Sequence, residues 1–135
     1  MKRINQLILN HSSYAAPAGR LLIASIFVMS GLNKIDNYSN TAGWMEAMGV
    51  SGGLLPLVIA LEVLGGFAII IGWQTRITAA LFAGFCIMSA VIFHADFSDQ
   101  YQMISFMKNI SIAGGFLFLV VNGAGAYSLD NRGKS

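Results

Sequence analysis

At 135 residues the chain has room for one domain, and its 56% hydrophobic and 10% charged residues, with a mean hydropathy of +0.66, sit far from the roughly 25% charged residues of soluble domains. An ordinary soluble core is excluded on that ground. The formal net charge of +2 comes from basic residues scattered near helix ends rather than gathered in one patch, which speaks against nucleic acid as a partner.

The pattern predicts an all-α fold, an integral membrane four-helix bundle filling residues 1–135 as one domain. A polar start carrying Lys2 and Arg3 precedes the first apolar stretch, Ala15 to Leu32. Three equally apolar stretches follow, so the first is read as an uncleaved span and not as a signal peptide. A polar loop over residues 33–53 leads to the second stretch, Leu54 to Trp73, and Gln74 to Arg76 form a tight turn. The third runs from Ile77 to His94, an acidic loop spans Ala95 to Met103, and the fourth runs from Ile104 to Asn122. Each is close to the ~20 residues that a helix needs to cross the hydrocarbon layer. None alternates at every second residue as a barrel strand would.

Placing both termini and the Gln74 turn on one side collects Lys2, Arg3, Arg20, Arg76, Arg132 and Lys134 there and leaves Lys34 and Lys108 on the other. The richer side is then cytoplasmic, with both termini on it. Tyr14, Trp73 and Tyr127 fall at the inner boundary, and Tyr38, Trp44 and Tyr101 at the outer one. Arg20, Arg76 and Trp73 are read as membrane-interface anchors, the arginines reaching toward lipid phosphates.

At 100° per residue the few polar and small residues of each span share a face. Lys34, Ser30, Gly31 and Arg20 align in the first span, and Glu62, Gly65, Gly66 and Trp73 in the second. His94, Ala90, Ala83, Ala80 and Arg76 align in the third, and Lys108, Ser111, Gly115 and Asn122 in the fourth. Gly31, Gly65, Gly66, Gly114 and Gly115 are expected at helix contacts, where a missing side chain lets backbones approach. A weak internal repeat joins Gly65-Gly66-Phe67 to Gly114-Gly115-Phe116, with Arg20 and Arg76 opening the first and third spans.

Glu62 lies well inside the second span, where a charged carboxylate costs about 2.5–3.5 kcal/mol and needs a partner, a proton or water. Lys108 enters the fourth span from the same side and is the expected partner, with Asn109, Lys34 and His94 close by. Together these five residues form a candidate ligand-binding cluster, and the competing reading is a polar clamp that fixes helix register. Catalytic residues are not identifiable. His11 and His94 lie on opposite sides of the membrane, so neither zinc nor a bis-histidine haem has ligands within one chain. Cys86 stands alone and reads as a small buried hydrophobe. No Gly-rich loop joins a strand to a helix, so nucleotide cofactors have no evident home. A quinone fits better: its ring and tail suit an apolar groove, and its carbonyls need donors such as His94, Lys108 or Asn109. A second possibility is Cu(I), since Met45, Met48, Met103 and Met107 lie on the same side as His94 and soft thioethers favour it, although methionine at helical spacing is more often core filler.

These residues resemble the DoxX family of small bacterial membrane proteins. The match is Gly31-Leu32-x-Lys34, then Glu62-x-x-Gly65-Gly66, Thr75-Arg76, His94, Lys108-Asn109 and Gly114-Gly115, in that order over about residues 17 to 130. The resemblance implies a four-helix inner-membrane bundle linked to membrane redox chemistry, as an accessory subunit with a redox-protein partner. A structural or assembly protein without a ligand, and a small-solute carrier acting as a homo-oligomer, are the alternatives.

Overall fold

In a computed structural model of the chain residues 1–133 are described; Lys134, counted above among the inner-side cations, lies outside them. Helix α1 runs Lys2–Asp36, α2 Tyr38–Ala47, α3 Gly52–Ile71, α4 Thr75–Phe93 and α5 Gln100–Asn122. All but α2 are long and apolar enough to cross a membrane. No strand forms among the described residues.

Three boundaries differ from the sequence reading. The polar start is helical from Lys2 onward, because Lys, Arg, Gln and Leu are good helix formers. His11 and Ser12 add bonds back to the Leu7 and Leu9 carbonyls. At 35 residues α1 is about 52 Å long, well beyond the ~30 Å of a hydrocarbon core. The loop over 33–53 contains α2, whose Met45 is buried and whose Trp44 stacks on Phe93 at 4.5 Å. Helix α5 starts before Ile104, because Asp99 accepts from the Tyr101 N–H at 2.9 Å and caps it.

The helices pair in chain order, α1 with α3 and α4 with α5, the latter pair having the most extensive contact. Phe27, Phe82 and Phe116 meet at the centre, with centroids 4.6, 4.9 and 5.6 Å apart. Buried Ala24, Ala79, Ala83, Cys86 and Ala113 surround them. Four of the five glycines expected at contacts are tightly packed. A Cβ on Gly31 or Gly66 would come within 2.6 Å of Val63 or Val28, one on Gly65 within 3.1 Å of Phe82, and one on Gly115 within 2.9 Å of Ile23. Gly114 differs, since a Cβ there meets nothing within 4 Å. Ala80 likewise turns outward while its neighbour Ala79 is buried.

Arg20 is corrected most strongly. It does not reach for lipid: it is 2% exposed and donates to the Ile69 and Ile70 carbonyls at the end of α3 and to the Tyr127 carbonyl of the C-terminal segment. Carbonyls in a helix's last turn are short of intrahelical donors, although Ile69 also accepts from the Gly72 N–H at 3.2 Å, and a guanidinium with five donors is suited to them. Arg76 makes the same kind of bond to Val120 and Val121 at the end of α5 but stays exposed, as does Trp73. Both capped helices end on a glycine with positive φ, Gly72 at 72° and Gly123 at 76°. A side chain on Gly72 would strike Ser128 and Arg20.

The C-terminal segment closes this end of the bundle. Leu129 and Asp130 donate to the Ile71 and Gly72 carbonyls, and the Asp130 carboxylate accepts from the Gln74 and Thr75 N–H groups at 2.7 and 2.9 Å. Gln74 is held in the left-handed region at φ 49°. Tyr14 stacks on Tyr127 at 5.5 Å, which puts the start of the first span and the segment after the last at one end.

Candidate functional site

At the opposite end the spans diverge around a cavity of about 290 Å³. Glu62, the buried acid of α3, stands on its wall and is 2% exposed. Around it α3 departs from α-helical geometry, and residues Leu61–Gly65 form a π-turn. Such single-turn widenings recur at functional sites, because they turn a side chain out of the regular helical register.

The partner of Glu62 is Lys34. Its Nζ donates to both carboxylate oxygens, at 3.1 and 3.0 Å, and to Ser30 Oγ at 2.6 Å. The expected pair with Lys108 does not form. The reason is the glycine contact between α1 and α3: a Cβ on Gly31 would lie 3.1 Å from the Glu62 Cβ, so α1 sits directly against the π-turn. Lys34, three residues on from Gly31, then falls beside the carboxylate.

All five residues of the sequence-derived cluster nevertheless face the same space. Lys34, Glu62, His94, Lys108 and Asn109 line the cavity together. His94 Nδ1 lies 3.0 Å from Gln102 Oε1, and Asn109 donates to the Ser105 carbonyl at 2.9 Å. Among the described residues Lys108 has no hydrogen-bond or ion-pair partner. The apolar part of the lining comes from Phe85, Val58, Met45 and the stacked Trp44 and Phe93 rings.

Several of these were missed from sequence. Ser30 was read on the Lys34 face of the first span but not assigned to the cluster, where it is the i−4 neighbour of Lys34. Trp44 and Met45 were not, because they arrive on a helix that a polar loop concealed. Ser89 and Thr41 also line the cavity, and no periodicity marks them.

The family model for DoxX matches residues 15–95, which contain α2, α3, α4 and most of α1. The chain belongs to the DoxX family. It is 49% identical over 111 residues to the inner membrane protein YqjF of Escherichia coli (strain K12), covering 82% of this chain and 85% of that one. It is 37% identical over 120 residues to the inner membrane protein YphA of the same strain, covering 84% and 86%. No solved structure matches significantly. Within this DoxX-family chain the matched region holds Lys34, Glu62 and His94, while Lys108 and Asn109 lie on α5 beyond it.

A second cavity, of about 420 Å³, opens at the termini end between Gln74, Arg76, Asn122 and Asp130. Its polar walls are largely committed to each other, through Asp130 to the α4 N-terminus and through Arg76 to α5.

Proposed function

We propose that the protein is an inner-membrane accessory subunit that binds a quinone-like molecule in the cavity beside Glu62 and serves a membrane redox partner. One observation carries this reading. Lys34 reaches both Glu62 oxygens, yet His94, Lys108 and Asn109 line the same cavity. A structural clamp needs none of those three.

The cavity suits such a ligand in size and chemistry. About 290 Å³ lies at the lower edge of small-molecule sites, roughly 300–1,000 Å³. That accommodates a substituted ring and leaves a longer apolar tail to run out between helices. Phe85, Phe93 and Trp44 would face the ring, while Asn109, His94 and Lys108 would donate to its oxygens. The bound group would supply two-electron redox chemistry. Glu62 and His94 are the residues here that can hold and release protons. The termini are placed on the cytoplasmic side, following the excess of Lys and Arg at that end.

The test is an organic extract of the protein purified in mild detergent, examined by mass spectrometry and ultraviolet-visible spectroscopy. A stoichiometric quinone in the wild type, lost in Glu62→Ala, is the expected result. A folded wild type free of quinone, and unable to take one up from lipid nanodiscs, would leave the structural or assembly role. The bidentate Lys34–Glu62 contact is what favours that second reading.

A further inference from the structure

The charges around the cavity do not balance. Its lining contains two lysines, Lys34 and Lys108, and one carboxylate, Glu62. Lys34 takes both oxygens of that carboxylate at 3.0 and 3.1 Å. No other acidic side chain lies on the wall. Lys108 is left with no partner among the described residues.

Its depth makes this imbalance informative. Lys108 is the ninth of the 23 residues of α5 and the fifth of the apolar stretch that opens at Ile104, about 6 Å into the hydrocarbon, and it is exposed on the helix surface. An ammonium group at such depth is costly unless it reaches the headgroups or meets an opposite charge. Its neighbour Asn109 lines the cavity with it, and offers a neutral hydrogen-bonding group beside the cation. An apolar chamber with one surplus cation and adjacent neutral polar groups matches an amphipathic anion: a flat apolar body with one ionised oxygen.

We infer that the ligand of this cavity binds as an anion, its ionised oxygen on Lys108 and its apolar body among Phe85, Phe93 and Trp44. The class comprises ionised hydroxyquinones and phenols, and aryl carboxylates of similar size. The inference deepens the quinone reading and rests on that reading only for the site, not for the redox chemistry. It also separates two duties of the lysines: Lys34 neutralises Glu62, and Lys108 selects charge.

The experiment uses the full chain in lipid nanodiscs and three probes in calorimetric or fluorescence titrations. These are a neutral alkylated benzoquinone, a 2-hydroxy-3-alkyl-naphthoquinone ionised at neutral pH, and a naphthoate of matching length. Each is titrated into wild type, Lys108→Gln and Lys108→Arg. The expected result is that wild type binds the hydroxyquinone anion at least about tenfold more tightly than the neutral quinone. That preference disappears in Lys108→Gln and returns in Lys108→Arg.

The outcomes keep the two readings apart. If the neutral quinone binds as tightly as the anion, and Lys108→Gln changes neither, the anion inference falls and the quinone reading stands. Binding of naphthoate through Lys108 with no quinone of either kind would uphold the anion and overturn the quinone. Failure of all three probes against a folded wild type sinks both. A preference for the anion that survives in Lys108→Gln overturns the assignment to Lys108, because a lysine that only reached for headgroups would leave selectivity unchanged.

Discussion

Each end of the bundle withdraws a charged side chain from its surroundings, and the two ends satisfy it differently. At the termini end Arg20 is enclosed by backbone, with the α3 carbonyls on one side and Tyr127 of the C-terminal segment on the other. Asp130 closes the same end by capping α4. At the cavity end Glu62 is held by side chains, chiefly Lys34, and the space beside it is left open. A charge surrounded by main chain is a fastening, because those carbonyls cannot move without unwinding helices. A charge held by a lysine next to a cavity can exchange partners, which is what a binding site requires.

The largest expected effect tests the fastening. Arg20→Met removes the guanidinium from the Ile70 and Tyr127 carbonyls and leaves Ile69 with the Gly72 N–H, and each buried unsatisfied group costs about 1–3 kcal/mol. A loss of about 3 kcal/mol or more is expected in detergent unfolding, against about 1 kcal/mol for Arg76→Met, whose guanidinium is exposed. Equal losses would show that burial does not distinguish the two arginines.

Next comes the open end. Glu62→Gln and Lys34→Met are each expected to cost about 2 kcal/mol, with a coupling of about 1–3 kcal/mol in a double-mutant cycle. The corresponding cycle for Glu62 and Lys108 should show none. A coupling that appears there instead would put Lys108, not Lys34, on the carboxylate.

The glycines sharpen the comparison at the level of packing. Gly31→Ala drives a methyl into Val63 and the π-turn, and a loss of about 1–3 kcal/mol is expected. It should also weaken ligand uptake, since it moves α1 away from Glu62. Gly114→Ala has open space and is expected to gain up to about 1 kcal/mol from helix propensity alone.

Smaller still is the cap at the closed end, where Asp130→Ala should cost about 1 kcal/mol without altering probe affinity. A change in affinity would mean the two ends are coupled. The smallest effect lies in the loop beside the cavity. Ser98 donates its hydroxyl and its N–H to Asp96 and holds that carboxyl below its ordinary value. A depressed folded value means the contribution is present above the usual carboxylate range and is lost as the pH falls through the lowered value. Ser98→Ala should move the Asp96 titration up toward the ordinary value, read by carbon-detected NMR.

Four spans, their approximate limits and the polar cluster followed from the sequence alone, because hydrocarbon forces apolar runs of one length and makes every buried polar residue conspicuous. Glu62, His94, Lys108, Asn109 and Lys34 could be assigned to one depth on that reasoning. Which lysine meets Glu62 was decided only in three dimensions, by the close approach of α1 to α3 at Gly31 and by the π-turn that rotates the carboxylate. Depth along a helix is a one-dimensional quantity that hydropathy records, whereas the facing partner depends on which helix packs against which. Arg20 makes the same point from the other end. An arginine at a span terminus reads as a lipid anchor until the C-terminal segment, whose fold no periodicity announces, comes back across the bundle and covers it.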